Sequence, residues 1–172
     1  EDRGQYDEHR DVFGPSGAAG AYRRALFEDV GTFAPSFGSY MEDVDLAFRA
    51  RLAGWTCTFC PEAVVYHHVS ATGGGPLASY HVARNRTWMI VRNFPAEILR
   101  RHLRRIVAAQ AREAVAASRA LTGAAARATL RGLAVGWLTA PGQLPARRRI
   151  QARRRISAEE VGRLLSHQGT EA

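Results

Sequence analysis

Beyond Leu77 the sequence stays helical almost to its end, because apolar residues recur at three- and four-residue spacing. The pattern breaks only at Pro95, at Gly123 and around Pro141-Gly-Gln-Leu-Pro145. Any strand must therefore come from the first part of a chain whose 172 residues suffice for one core and an appendage. Charge divides at the same place: residues 1–75 hold 6 Arg against 11 Asp or Glu, whereas residues 76–172 hold 18 Arg against 5 acids. An acidic site region joined to a basic surface is the expected consequence. The opening stretch, residues 1–10, is polar and has no Met or leader-like apolar run, so the chain reads as a piece of a longer polypeptide.

Along the first part, residues 17–22 look like a short buried stretch leading into a helix over 23–30, which Gly31 closes. A second helix is predicted over 42–53 with Gly54 as its stop, and Val44, Ala47, Phe48 and Leu52 face a core. Residues 56–59 and 63–69 are strand-like and are separated by Pro61, which cannot donate to a sheet ladder. Ser70-Ala-Thr-Gly-Gly-Gly-Pro76 is loop-forming by composition. Cys57 and Cys60 are the only cysteines, with no second pair to complete a zinc site, and they read as small buried thiols.

In the helical part, Ile98, Leu99, His102, Leu103, Ile106 and Val107 make an apolar stripe flanked by Arg100, Arg101, Arg104 and Arg105. Such a helix suits a membrane surface, since no apolar run approaches the ~18–20 residues that cross a bilayer. Ser157 and Glu160 form a capping box for a last short helix through Leu165.

Two groups of residues could carry chemistry. Glu42, Asp43 and Asp45 place three carboxylates in the first turn of a helix, behind a loop containing Phe37 and Tyr40. Acidic residues are favoured at helix starts by the macrodipole alone, so the cluster is open to a purely structural reading. The functional reading is a carboxylate held rigidly near a nucleophilic hydroxyl. His67 and His68 end an apolar strand, where adjacent side chains point in opposite directions, so at most one shares a site with the carboxylates. An imidazole beside carboxylates and a diphosphate suits a hard divalent ion.

The order of these pieces carries a resemblance. Gly17-Ala-Ala-Gly-Ala-Tyr-Arg-Arg24, Leu26-Phe-Glu-Asp-Val-Gly-Thr-Phe33, Tyr40-Met-Glu-Asp-Val-Asp-Leu46, Arg49, Gly54-Trp55 and Pro61-Glu-Ala-Val-Val-Tyr-His-His68 resemble glycosyltransferase family 2, in its rhamnosyltransferase-like branch. The resemblance covers residues 13–95. It implies an α/β fold: residues 1–95 as the acceptor-side, C-terminal part of a GT-A catalytic domain, and residues 96–172 as a helical, Arg-rich extension. It also implies an inverting sugar transferase in which Asp43 is the general base, with Glu42, Asp45, Tyr40 and Gly17 around the acceptor. His67 is the implied protein ligand of Mg²⁺ or Mn²⁺, with His68 the weaker choice. Tyr80-His-Val-Ala-Arg-Asn-Arg-Thr-Trp88 is similar to the family's Arg-Asn-Arg helix, which makes Arg84 and Arg86 the implied diphosphate ligands. Gly73, Gly74 and Gly75 are implied to let the preceding loop close over the substrates. One departure stands out: where the family commonly has Gly-Gly-Phe-Asp, this chain has Gly31-Thr-Phe-Ala34.

The implied partners are a nucleoside-diphosphate sugar, a cell-envelope glycan or lipid-linked acceptor, and an anionic membrane at its cytoplasmic face. The donor-binding part of such an enzyme lies outside these residues, so this piece alone is expected to be inactive. A basic module without catalysis, on a membrane or on nucleic acid, is the rival reading. Nucleic acid is not expected, because the Arg residues between 147 and 155 lack interleaved aromatics.

Overall fold

The computed structural model describes residues 11–66 and 74–167. Its elements are helix α1 (Arg24–Val30), a 3-10 turn Pro35–Phe37, α2 (Glu42–Leu52), α3 (Gly75–Asn93), α4 (Ala96–Arg119) and α5 (Ala124–Thr139). A second 3-10 turn, Ala140–Gln143, then leads into α6 (Leu144–Ala152), and α7 (Ala158–His167) closes the described chain. The breaks fall where local chemistry places them. Gly31 leaves α1 at φ 80°, its N–H bonding back to Phe27 O. Extended Phe94, ahead of Pro95, stops α3, as the residue before a proline commonly does. The capping box forms as expected, with Ser157 N–H donating to Glu160 Oε2 at 2.7 Å and Glu160 N–H to Ser157 Oγ at 3.1 Å.

The expected α/β architecture is not what these residues adopt. Among the described residues there is no strand, and the sheet expected of a GT-A C-terminal part reduces to one antiparallel bridge between Asp11 and Thr58. The reason is pairing. Among the described residues, 56–59 pair only with the short segment at 11–13, tied down by Val12 N–H to Cys57 O at 3.0 Å and by Arg51 Nε to Phe13 O at 3.0 Å. After Pro61 the chain turns, and Val64, Val65 and Tyr66 stand exposed, Tyr66 at 95%. A strand pattern without neighbouring strands gains no ladder, so β propensity has nothing to act through. Residues 67–69 of that expected strand lie outside the described residues. Residues 17–21, expected to be buried, are exposed, and so is Cys60, while Cys57 is half-buried with its thiol pKa pushed up by burial.

The interior is a helical core. Phe37, Phe48, Trp88 and Met89 form one buried cluster, joined at its edge by Phe13, Val44 and Phe94. Leu52, Ile98 and Val161 form a second that docks α7. Phe94 and Leu165 touch both, so the two cores are continuous. Helices α3 and α5 approach closely because Gly132 and Gly136 face α3. A Cβ at Gly132 would collide with the Tyr80 carbonyl, and one at Gly136 would lie 3.1 Å from Arg84 O. The stripe on α4 separates: Ile98 is buried, whereas Leu103 (49%) and Val107 (45%) remain exposed.

Candidate active site

Asp43 is held at the mouth of α2 by two backbone donors. Its Oδ2 accepts the Gly17 N–H at 2.8 Å and its Oδ1 the N–H of Val44 at 2.8 Å, while the side chain stays half-buried. The approach is close: a Cβ at Gly17 would lie 3.3 Å from Oδ2, so a larger residue there requires Asp43 to shift by a few tenths of an ångström. Sequence positions 26 apart thus meet at one carboxylate.

The loop before α2 is strained and clamped. Tyr40 (φ 68°) and Met41 (φ 69°) are consecutive left-handed residues, neither of them Gly. Such geometry costs on the order of 1–3 kcal/mol per residue and persists only where surroundings impose it. Asn85, fully buried on α3, imposes it. Its amide nitrogen lies 3.0 Å from Phe37 O, 2.9 Å from Ser39 O and 2.7 Å from Tyr40 O. Its Oδ1 accepts Arg84 Nε at 2.9 Å. Asn85 was not singled out by the sequence reading, although it sits inside the Arg84-Asn-Arg86 motif that drew attention for its charges.

Tyr22 is a second residue that the sequence reading missed. Its hydroxyl is buried without a hydrogen-bond partner, as is Glu42 Oε2, and the Tyr22 pKa is raised first by burial and then by the nearby Asp43 carboxylate. Unsatisfied buried polar atoms are uncommon in folded proteins, so the Tyr22 hydroxyl near the Asp43 carboxylate calls for an explanation. Tyr22 also lines a cavity of about 320 Å³ with Pro15, Leu46, Ala47, Trp55 and Cys57. Asp43 lies outside the cavity wall, so Tyr22 is the residue linking the two. No signal in the sequence distinguishes Tyr22 from an ordinary core aromatic.

The remaining expected residues separate. Tyr40 and Glu42 flank Asp43, as adjacency dictates. Asp45 points the other way: it is 0% exposed and is closed off from any acceptor by Arg49 Nε at 2.9 Å, Asn93 Nδ2 at 2.8 Å and Arg92 Nε at 3.2 Å. Its role is to anchor α2 to α3. Arg84 is held by the loop and by aromatic faces, with Nη2 donating to Phe37 O at 3.0 Å and the guanidinium 4.4 Å from the Trp88 ring centre. Arg86 is ion-paired with Glu113 on α4. His67, His68 and Gly73 lie outside the described residues. Among the described residues no group of three or more His, Cys, Asp or Glu is arranged to hold a metal ion.

Comparison with known proteins adds the family. Two curated Mycobacterium tuberculosis proteins, from strains CDC 1551 / Oshkosh and ATCC 25618 / H37Rv, are both named N-acetylglucosaminyl-diphospho-decaprenol L-rhamnosyltransferase. Each is 39% identical to this chain over 75 residues, which is 44% of this chain and 24% of the relative. The aligned stretch is thus a minor part of those relatives' own length. No solved structure matches the chain. A model described as glycosyl transferase family group 2 matches residues 2–147, which is most of the sequence, and the chain therefore belongs to that family.

Proposed function

We propose that the chain carries the acceptor-side part of an inverting glycosyltransferase that moves a sugar from a nucleoside diphosphate to a hydroxyl of a glycan or lipid-linked acceptor, with Asp43 as general base. Rhamnose, the sugar in the names of the two mycobacterial relatives, is the proposed donor sugar. The observation that carries the reading is the Asp43 carboxylate, fixed by Gly17 and Val44 at a half-buried position near the unsatisfied hydroxyl of Tyr22. A general base must be both rigid and within hydrogen-bond reach of its proton. In the proposed step Asp43 takes the acceptor hydroxyl proton while the hydroxyl oxygen bonds to the anomeric carbon. The bond to the nucleoside diphosphate breaks on the opposite face, which inverts the configuration. Tyr22 and Glu42 would orient the acceptor, and Arg84 and Arg86 would meet the diphosphate after leaving Phe37 O and Glu113 respectively.

The test uses a polypeptide of the relatives' full length. Asp43→Asn is expected to lower turnover by about 10²–10⁴-fold while binding of the nucleoside-diphosphate sugar is kept. Retained turnover overturns the base assignment. Loss of transfer on chelation, restored by Mg²⁺ or Mn²⁺ and weakened by His67→Ala, tests the divalent ion with His67 as its ligand.

Membrane association is a second proposal, supported by Leu103 and Val107 lying exposed on the helix that also presents Arg100, Arg101, Arg104 and Arg105. No helix among the described residues is long and apolar enough to cross a membrane. Anionic vesicles are expected to sediment the chain, and Leu103→Glu with Val107→Glu to release it, since each basic residue near such a surface contributes about 1 kcal/mol. Equal binding by the double variant, or binding to duplex DNA instead, rejects the reading.

A further inference from the structure

A second cavity of about 320 Å³ opens between the loop after α1, the core-facing side of α2 and α6. It shares no lining residue with the cavity at Tyr22. Its floor is apolar, with Ala34 and Ile150, and Arg49, Arg92, Arg149 and Arg153 all contribute to its wall. Among the described residues two carboxylates face them: Asp45 already serves both Arg49 and Arg92, and Asp29, near Arg153, is ion-paired with Arg155, so positive charge stays in excess.

The four guanidiniums are unequal. Arg49 is spent on the fold, giving Nε to Asp45 at 2.9 Å and its remaining nitrogens to the carbonyls of Val30, Gly31 and Thr32 at 2.6, 3.1 and 2.8 Å. Arg92 is less fully committed. Its side chain is only 9% exposed, its Nη1 lies 3.4 Å from Ser36 Oγ, and its Nε is ion-paired with Asp45 Oδ1 at 3.2 Å but lacks the alignment of a hydrogen bond. Burial, with Arg49 and Arg149 nearby, holds the Arg92 pKa below its ordinary value, against the opposing pull of Asp45. Arg149 and Arg153 stand exposed one helical turn apart at the rim, on the same face of α6. Arg153 spends one nitrogen on Asp29 O at 2.7 Å, and Arg149 has no ion-pair partner among the described residues.

We propose that this cavity is a binding site for a phosphate-type anion, separate from the Asp43 site and independent of its assignment. Guanidinium forks bind phosphate oxygens through paired N–H bonds, which suits two exposed arginines above a buried one whose Nε makes no hydrogen bond. A cation is disfavoured by the excess of positive charge, and a neutral ligand leaves that charge uncompensated. The cavity lies at the small end of ligand sites, ~300–1,000 Å³, a size that admits a diphosphate but not an extended glycan. The phosphate could come from a free diphosphate or from the headgroup of an anionic lipid.

Calorimetric titration of the full chain with inorganic pyrophosphate tests the site, with phosphatidylglycerol and phosphatidylcholine vesicles as a second arm. Arg149→Ala and Arg153→Ala are each expected to weaken binding about tenfold, as loss of charged hydrogen bonds does. Arg148→Ala, which removes the same charge from α6 outside the cavity wall, is expected to change it less than twofold. Both informative positions are exposed, so the variants are expected to keep the wild-type circular dichroism spectrum. Arg149-dependent pyrophosphate binding assigns the site to a free diphosphate. Arg149-dependent binding to phosphatidylglycerol vesicles alone assigns it to a headgroup. Equal affinity of Arg148→Ala and Arg149→Ala in both arms, or no saturable binding in either, overturns the proposal.

Discussion

Single residues here act mostly by holding other residues. Asn85 bridges α3 to the loop at 37–40 through three carbonyls, and the left-handed pair Tyr40–Met41 it secures is the lead-in to Asp43. Asn85→Ala leaves the Ser39 and Tyr40 carbonyls without this donor, whereas Phe37 O keeps Arg84 Nη2; an unsatisfied group costs about 1–3 kcal/mol. Denaturant unfolding is expected to show that loss, and transfer activity is expected to fall further than stability explains because Asp43 loses its lead-in. If Asn85→Ala matches the wild type in both, the clamp has no such role. The same lesson applies to Arg84 and Arg86. Their charge made them legible as anion ligands, but charge alone does not say that Trp88, Phe37 O and Glu113 occupy them first.

Helices were legible wherever their stops were written locally. Gly31, Pro95 and the Ser157–Glu160 pair each fix a boundary by backbone chemistry within a few residues. The last of these gives a prediction with a sign. Glu160 has its pKa lowered first by the Ser157 backbone N–H and then by the Ser157 hydroxyl. A depressed carboxylate contributes stability above its unfolded pKa and loses it as pH falls through the folded value. Ser157→Ala is expected to destabilise the chain by about 0.5–2 kcal/mol near neutral pH. The gap between it and the wild type should narrow below the ordinary glutamate range, and thermal melts at several pH values would show a constant gap if the box did not matter. Strands were the opposite case. Residues 56–59 and 63–66 carry β-forming side chains, yet a strand exists only through its neighbours, and in this chain the neighbour is a single bridging segment at 11–13.

Across the whole molecule, one buried ion network ties the site-bearing helix to the rest. Asp45 receives Arg49, Arg92 and Asn93 with no exposure to water, joining α2 to α3, while Arg49 carries the connection on to the end of α1. Removing one member of a buried network leaves uncompensated charge, so Asp45→Ala is expected to cost about 3–5 kcal/mol. Urea unfolding should register it, and a loss below about 1 kcal/mol would place Asp45 in a solvated role instead. By local pattern Asp45 matches Asp43, since both sit in the first turn of one helix two positions apart, and only the family resemblance set them apart. That spacing rotates the side chains by roughly 200°, so if one faces outward the other faces the core. The sequence by itself determined the helices, their caps, the Glu42-Asp43 start and the family motifs, because these depend on neighbours within about four residues. Only tertiary structure decided which carboxylate reaches Gly17, which arginines are spent on carbonyls, and that strand-like segments stay unpaired. Those outcomes depend on contacts between positions far apart in the chain, and local spacing carries no information about them.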